Sequence, residues 1–250
     1  MDQTDESTLE ILFQDEWLVA INKPAGLLVH RSKIDRFETR FAMQILRDQI
    51  GQHVYPVHRL DKPTSGVLLF ALNSDTARKT GELFAARQSE KAYLAVVRGY
   101  SDEQAVIDYA LKEELDRKTD RLVKQEKEAQ QAVTAYRRLA TYELAFPVGR
   151  YQTARYSLLQ LSPKTGRKHQ LRRHLKHIFH PIVGDTSHGD GKQNQLMRDK
   201  FNCHRLLLHA AQLSFIHPEN GERLEINAPL HDSFSDVIAA MEAAGSCTAE

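Results

Sequence analysis

Six apolar residues in a row, Val67 to Leu72, follow the loop His58-Arg59-Leu60-Asp61-Lys62-Pro63-Thr64-Ser65-Gly66. A run of that length after a glycine reads as a buried strand. A buried strand needs partners, and the chain offers many. "EILFQDEWLVAINKPAG" reads as a strand, a turn around Asp15-Glu16, a second strand and a Pro-Gly stop. "KAYLAVVRGY" and "AVIDYAL" read as strands, and Ala132 to Phe146 is rich in β-formers with near-alternation. Arg155 to Leu161 alternates Tyr156, Leu158 and Leu159 with polar residues before the turn "SPKTG". "RLLLHAAQLSFIHPENGERLEINAP" reads as two strands, a turn at Glu219-Asn220-Gly221 and a closing strand.

Helices are fewer. Phe37 to Ile50 carries Phe41, Ile45 and Gln49 along one side. Ser74 is placed to cap a helix reaching about Arg87 that buries Ala77, Leu83 and Phe84. A helix is expected from Arg167 to about Ile178, and a terminal one from His231 to Ala244. Hairpin strands with a few helices between them give an α+β fold with a mixed, largely antiparallel sheet flanked by helices. One domain over residues 9–245 is expected, after a disordered tail at 1–8.

With 41% apolar and 27% charged residues, the composition is that of a soluble globular protein. No apolar stretch approaches the ~18 residues a membrane span needs. The acidic, polar start is unlike a signal peptide, and Cys203 and Cys247 stand far apart, so a cytoplasmic location is expected. Net charge is +1, but its distribution is uneven. From Leu144 to Gly184 there is no Asp or Glu, while Arg150, Arg155, Lys164, Arg167, Lys168, Arg172, Arg173 and Lys176 fall inside it. The acid that balances them lies in the mixed-charge stretch from Glu113 to Glu128 and at both ends. A patch of one sign suits a polyanion, whose phosphates attract cations and release counterions on binding. The alternative is a solvated basic helix.

Twelve histidines invite a metal reading. His174, His177 and His180 recur every third residue, and on a helix that spacing drifts, so three rings do not converge on one ion. Solvated or phosphate-facing histidines are expected instead, with no metal. "TGRKHQLRRHLKHI" carries the apolar stripe Leu171, Leu175, Ile178 beside a basic stripe, Lys168, Arg172, Lys176. Cations in a first helical turn oppose the helix dipole, so Arg167 and Lys168 point to a bound anion rather than to local stability. In "EKAYLAVVRG", Tyr93 is either a half-buried strand tyrosine or a base-stacking platform and proton acceptor.

"HRLDKPTSG", "KAY" and "TGRKHQLRRHL", in that order, resemble the RNA pseudouridine synthases of the RluA type. The likeness runs from about Glu10 to Pro229 and takes in "NKPAGLLVH" and "HPIVGDTSHGD". Within that family the chain is most similar to the branch that modifies uridine 65 in the TΨC stem of tRNA. "GRYQTARYSLLQLSPKTGRKHQLRRHL" and "HGD" carry this finer likeness; ribosomal relatives often have a Tyr in place of His188. Many relatives add an N-terminal RNA-binding module of the ribosomal-protein S4 type, which is not expected here.

The resemblance implies a catalytic domain that converts uridine to pseudouridine by detaching the base, turning it and re-attaching it through C5. It implies Asp61 as the carboxylate that starts the reaction, acting on the sugar or on the ring. Arg172 would keep Asp61 ionised, Leu171 would pack on the base, and Tyr93 would stack on it and take the C5 proton. Arg59 would fill the space left by the flipped nucleotide, with His58 beside it on the substrate side. Arg167, Lys168, Arg173 and Lys176 are read as phosphate contacts. The reaction has no redox step, so no cofactor is expected, and the partner is a tRNA met by a monomer. The competing readings are a ribosomal RNA pseudouridine synthase, a non-catalytic RNA-binding domain and a metal-dependent hydrolase.

Overall fold

A computed structural model describes residues 8–31, 38–113 and 128–249. The expected tail at 1–8, apart from Thr8, and most of the mixed-charge stretch from Glu113 to Glu128 lie outside them. In chain order the elements are β1 (Ile11–Gln14), β2 (Leu18–Lys23), α1 (Ala42–Ile50), β3 (Tyr55–Pro56), β4 (Ser65–Ala71) and α2 (Ser74–Ala85). Then come β5 (Ser89–Arg98), β6 (Gln104–Asp108), β7 (Val133–Leu144), β8 (Ala154–Pro163) and α3 (Gln170–His177). The chain closes with α4 (Gly191–Phe201), β9 (Leu208–Ile216), β10 (Arg223–Asn227), α5 (Asp232–Ala244) and β11 (Gly245–Ala249). The class is α+β, with mixed, mostly antiparallel strand pairing.

Two compact units divide these elements. Their described parts are 8–31, 38–91 and 210–229 for the first, and 92–113, 128–209 and 230–249 for the second. In the first unit β4 is buried at every position, as its apolar run requires. It pairs antiparallel with β2, from Leu18↔Ala71 to Lys23↔Gly66, and β1 pairs with β2. The β1–β2 turn is held by Asp15, whose Oδ1 accepts the N–H groups of Trp17 and Leu18 at 2.8 and 2.7 Å. Leu18, Ala20, Val67, Leu69, Leu213, Phe215 and Ile226 fill the core. Gly66 has φ 109°, and a Cβ there would lie 2.2 Å from the Ala210 carbonyl oxygen. The glycine of Thr-Ser-Gly is therefore required twice, by its dihedral and by the backbone packed against it.

In the second unit β5, β8 and β7 pair antiparallel, in the register Tyr93↔Leu161 and Tyr136↔Leu161. The other edge of β7 is shared: β6 takes Val133 to Arg137, and β11 takes Ala140 to Leu144. β11 was not expected, because "GSCTA" has no strand pattern; main-chain pairing to an open edge needs none. The helix α4 was also unexpected. Its mean hydropathy pattern is weak, and Asp190 defines it instead, accepting from the Lys192 and Gln193 N–H groups as an N-cap. A similar adjustment falls on α2, whose cap is Asn73 rather than Ser74 and whose buried residues are Thr76 and Thr80. Ala77 and Phe84 pack only partly against the core.

Candidate active site

The Asp61 loop belongs to the first unit. Leu60 is buried and anchors it, leaving Arg59 exposed and Asp61 half-buried. The Asp61 carbonyl accepts the Thr64 N–H at 3.0 Å, closing the turn through Lys62-Pro63. Beneath the turn lies Lys23, a fully buried lysine. Its Nζ donates to the carbonyls of Pro24 (2.8 Å), Leu27 (2.9 Å) and Lys62 (3.2 Å). One ammonium thus ties "NKPAGLL" to "RLDKP", with the Gly26 N–H adding a bond to the Lys62 carbonyl at 2.9 Å. Lys62 itself turns outward to Glu38, 2.6 Å away.

His58 is committed to the same scaffold. Its Nε2 accepts the Leu69 N–H at 3.0 Å, so the neutral ring carries its proton on Nδ1. Burial, helped by the charge of Lys91, pushes its pKa down to about 3. The ring packs against Phe84 at 5.6 Å. What the structure gives His58 is a task in fixing the loop to β4.

The second unit places Tyr93 and Leu171 on one hydrophobic cluster, with Arg172 next to Leu171 on α3. Leu171 and Leu175 are core residues of it, and Tyr93 packs against it from β5. The basic helix is shorter than expected: α3 begins at Gln170, so Arg167 and Lys168 lie in the preceding turn and not in a first helical turn. The argument from the dipole therefore fails for those two residues. The side chain of Gln170 organises that turn, its Oε1 accepting from Arg167 N (3.0 Å) and the Thr165 hydroxyl (2.8 Å). Arg167 Nε also donates to the Gln131 carbonyl. The basic stripe is broken as well, because Lys168 and Lys176 are exposed and Arg172 is buried. Arg173 is half-buried on the same helix.

Arg172 is gripped by Asp185, a residue the sequence reading quoted but gave no role. The guanidinium donates Nε to Oδ2 at 2.7 Å and Nη2 to Oδ1 at 2.8 Å, a planar fork. Asp185 Oδ1 also accepts the N–H groups of Ser187 and His188, both at 2.9 Å. Burial pulls the Asp185 carboxyl upward, but the Arg172 bonds and the two amides outweigh it and hold it below the ordinary Asp value. The same short turn brings His188 Nε2 to 3.2 Å from His169 Nδ1, and His169 opens α3 at a left-handed φ of 53°.

The three spaced histidines go to three separate places. His174 is fully buried. Its Nε2 donates to the Tyr109 carbonyl (3.0 Å) and its Nδ1 accepts from the Thr134 hydroxyl (3.0 Å). Burial keeps it neutral by lowering its pKa. Thr134 in turn accepts from Gln170 Nε2 at 3.0 Å, so a buried relay joins the turn before α3 to its middle. His177 stacks on Tyr109 at 3.6 Å, and His180 Nδ1 donates to the Arg98 carbonyl at 2.8 Å. The reading of these histidines as solvated or phosphate-facing is corrected for His174, which is buried; His177 is exposed and His180 half-buried.

A loop carrying a half-buried carboxylate, a helix start carrying a fixed guanidinium, and a strand tyrosine on the cluster that holds Leu171 match the three motifs that the family resemblance rests on. A family model described as RNA pseudouridylate synthase matches residues 17–177. The chain belongs to that family, the RluA-type enzymes that isomerise uridine to pseudouridine in RNA. It is 57% identical over 234 residues to the tRNA pseudouridine synthase C of Vibrio parahaemolyticus, covering 94% of this chain and 95% of that one. Its identity to the tRNA pseudouridine synthase C of Haemophilus ducreyi is 59% over 222 residues, covering 89% and 91%. Among solved structures, human RNA Pseudouridylate Synthase Domain Containing 1 matches with a TM-score of 0.72 at 25% identity, covering 100% of this chain and 92% of that one. Domain Containing 4 of the same human series gives 0.70 at 29%, with 93% of each chain covered.

Proposed function

We propose that this chain is a tRNA pseudouridine synthase acting on uridine 65 of the TΨC stem. The observation that carries the reading is the identity of more than half over nearly the full length of relatives bearing the name tRNA pseudouridine synthase C. The motif residues have the chemistry the reaction needs. Asp61 supplies the carboxylate that attacks the sugar or the ring, and Arg172 supplies the cation that keeps a carboxylate ionised once RNA excludes water. Tyr93 stacks on the uracil and takes the proton from C5, and Leu171 packs on the same base. Arg59, exposed at the loop, fills the gap left in the stem by the flipped nucleotide. Lys168, Arg173 and Lys176 meet phosphates, as does Arg167. The reaction proceeds without metal or cofactor, in the cytoplasm, on a monomer.

The test uses an unmodified tRNA transcript, the purified protein and no added metal or cofactor. Pseudouridine mapping should show the modification at position 65, and a deletion strain should lose it there while keeping its ribosomal pseudouridines. Loss of a ribosomal pseudouridine instead would leave the family assignment intact and overturn the choice of RNA.

A further inference from the structure

The hairpin that turns from β7 into β8 has no part in the chemistry above, yet it presents cations and rings to solvent in pairs. Val148 and Tyr151 bridge through two backbone bonds of 3.0 and 3.1 Å. Gly149 takes φ 60° between them, which leaves Arg150 at the tip. The Arg150 guanidinium lies 5.1 Å over the Tyr151 ring and donates to its hydroxyl at 2.9 Å. Tyr151 nonetheless stays 58% exposed. Packing does not explain an aromatic residue there, since a ring of that size stabilises a fold chiefly through the area it buries.

The neighbourhood repeats the pattern. Arg155 lies 5.2 Å over Tyr100, and Lys200 lies 5.3 Å over Phe146. Lys192 reaches toward the turn, so that a Cβ on Gly149 would sit 4.0 Å from its Nζ. The acids close by are already engaged. Glu143 accepts from Tyr100, Thr153 and Arg155, and Asp190 pairs with Arg98 at 2.7 Å while capping α4. Among the described residues, Arg150, Lys192 and Lys200 make no ion pair.

Unneutralised cations interleaved with exposed rings fit a nucleic acid strand, whose phosphates take the charges and whose bases stack on the rings. An acidic peptide would use the cations alone. We propose that the Arg150–Tyr151 tip, together with Lys192, is a second RNA contact of this enzyme, separate from the residues assigned to the reacting uridine. Arg150 and Lys192 take backbone phosphates there, and Tyr151 carries an unpaired nucleotide. The proposal rests on the tRNA reading above.

The experiment is a binding titration of the tRNA transcript at several salt concentrations, with turnover followed in parallel. In the R150A/Y151A double variant Kd should weaken about tenfold, and kcat/KM should fall by the same factor through KM. Removing Arg150 or Lys192 should each lower the salt slope of log K by about 0.7–0.9. R150K should recover the slope, and Y151F should recover the share of affinity that belongs to the ring. Both positions are at an exposed tip, and an unchanged unfolding midpoint will show that the fold is intact. Wild-type turnover with Kd and slope unaltered in the variants overturns the hairpin contact alone. Absence of wild-type turnover on the transcript overturns the tRNA reading, and this contact with it.

Discussion

Two aspartates, Asp61 in the first unit and Asp185 in the second, are set in the structure in different ways. Asp61 sits half-buried on a loop of the first unit, held in place by its backbone. Asp185 is buried in the second unit, and both its oxygens are spent on Arg172 and on two amides. The loop under Asp61 is secured indirectly, by an ammonium that gathers three carbonyls. A compact point charge suits that task because it can meet oxygens from several directions, whereas a fork-shaped guanidinium fixes its own plane against a carboxylate. The Asp61 loop is scaffolded through its main chain, whereas Asp185 spends both side-chain oxygens on its partners.

The comparison breaks most visibly at Asp61→Asn. The amide keeps the size and loses the charge and nucleophilicity, so pseudouridine formation should vanish while RNA binding survives; near-normal turnover would remove Asp61 from the mechanism. Asp185→Asn should do the reverse of a clean active-site change. It removes the Asp185 charge from a buried guanidinium, and chemical denaturation should show a loss of about 3–5 kcal/mol. A loss under 1 kcal/mol would mean that Arg172 is held by other partners.

Lys23→Met should cost less, about 1–3 kcal/mol, because the Pro24 and Leu27 carbonyls lose a donor while the Lys62 carbonyl keeps the Gly26 N–H. Turnover should fall with it, since the loop carrying Asp61 loses its tie to "NKPAG". A stable but catalytically normal variant would show that the ammonium is dispensable to the loop. Thr134→Val interrupts the relay to His174, and urea unfolding should report a loss of about 1–2 kcal/mol.

A further effect concerns pH. The unfolded His58 titrates near its ordinary value of 6.5, whereas the folded ring holds out to about 3. Between those values the unfolded chain binds the extra proton, so stability falls as pH drops through that window, by at most about 1.4 kcal/mol per unit. His58→Gln should flatten that part of the profile. The Asp185 carboxyl acts lower down: its share is complete above the ordinary Asp value and drains as pH falls below it. NMR titration of the His58 ring is the direct check, and a midpoint near 6.5 would rule out its bond to Leu69.

Much of this was legible in the sequence. The apolar run after Gly66, the hairpin turns and the stripe of Leu171, Leu175 and Ile178 report burial, and burial follows from residue type and period. Asp61, Tyr93 and Arg172 stood out through the motifs that contain them. What escaped were roles set by partners distant in sequence. Lys23 looked like the end of a strand before a proline, and only folding brings the Lys62 carbonyl to it. Asp185 was the first acid after forty-one residues without one, which was the available signal for a cation in need of a counter-charge. The helix start was misplaced because Thr165, Gln170 and Thr134 form a side-chain network that supplants an ordinary cap.

The packing of Gly66 against Ala210 has a consequence for biosynthesis. The first unit is assembled from stretches far apart in the chain, and the backbone on which Gly66 rests is translated 144 residues after it. At ordinary elongation rates that interval is roughly 7–30 s. During it the nascent loop bearing Asp61 lacks the strand that backs it, so Asp61 acquires its final setting only once Ala210 has been made.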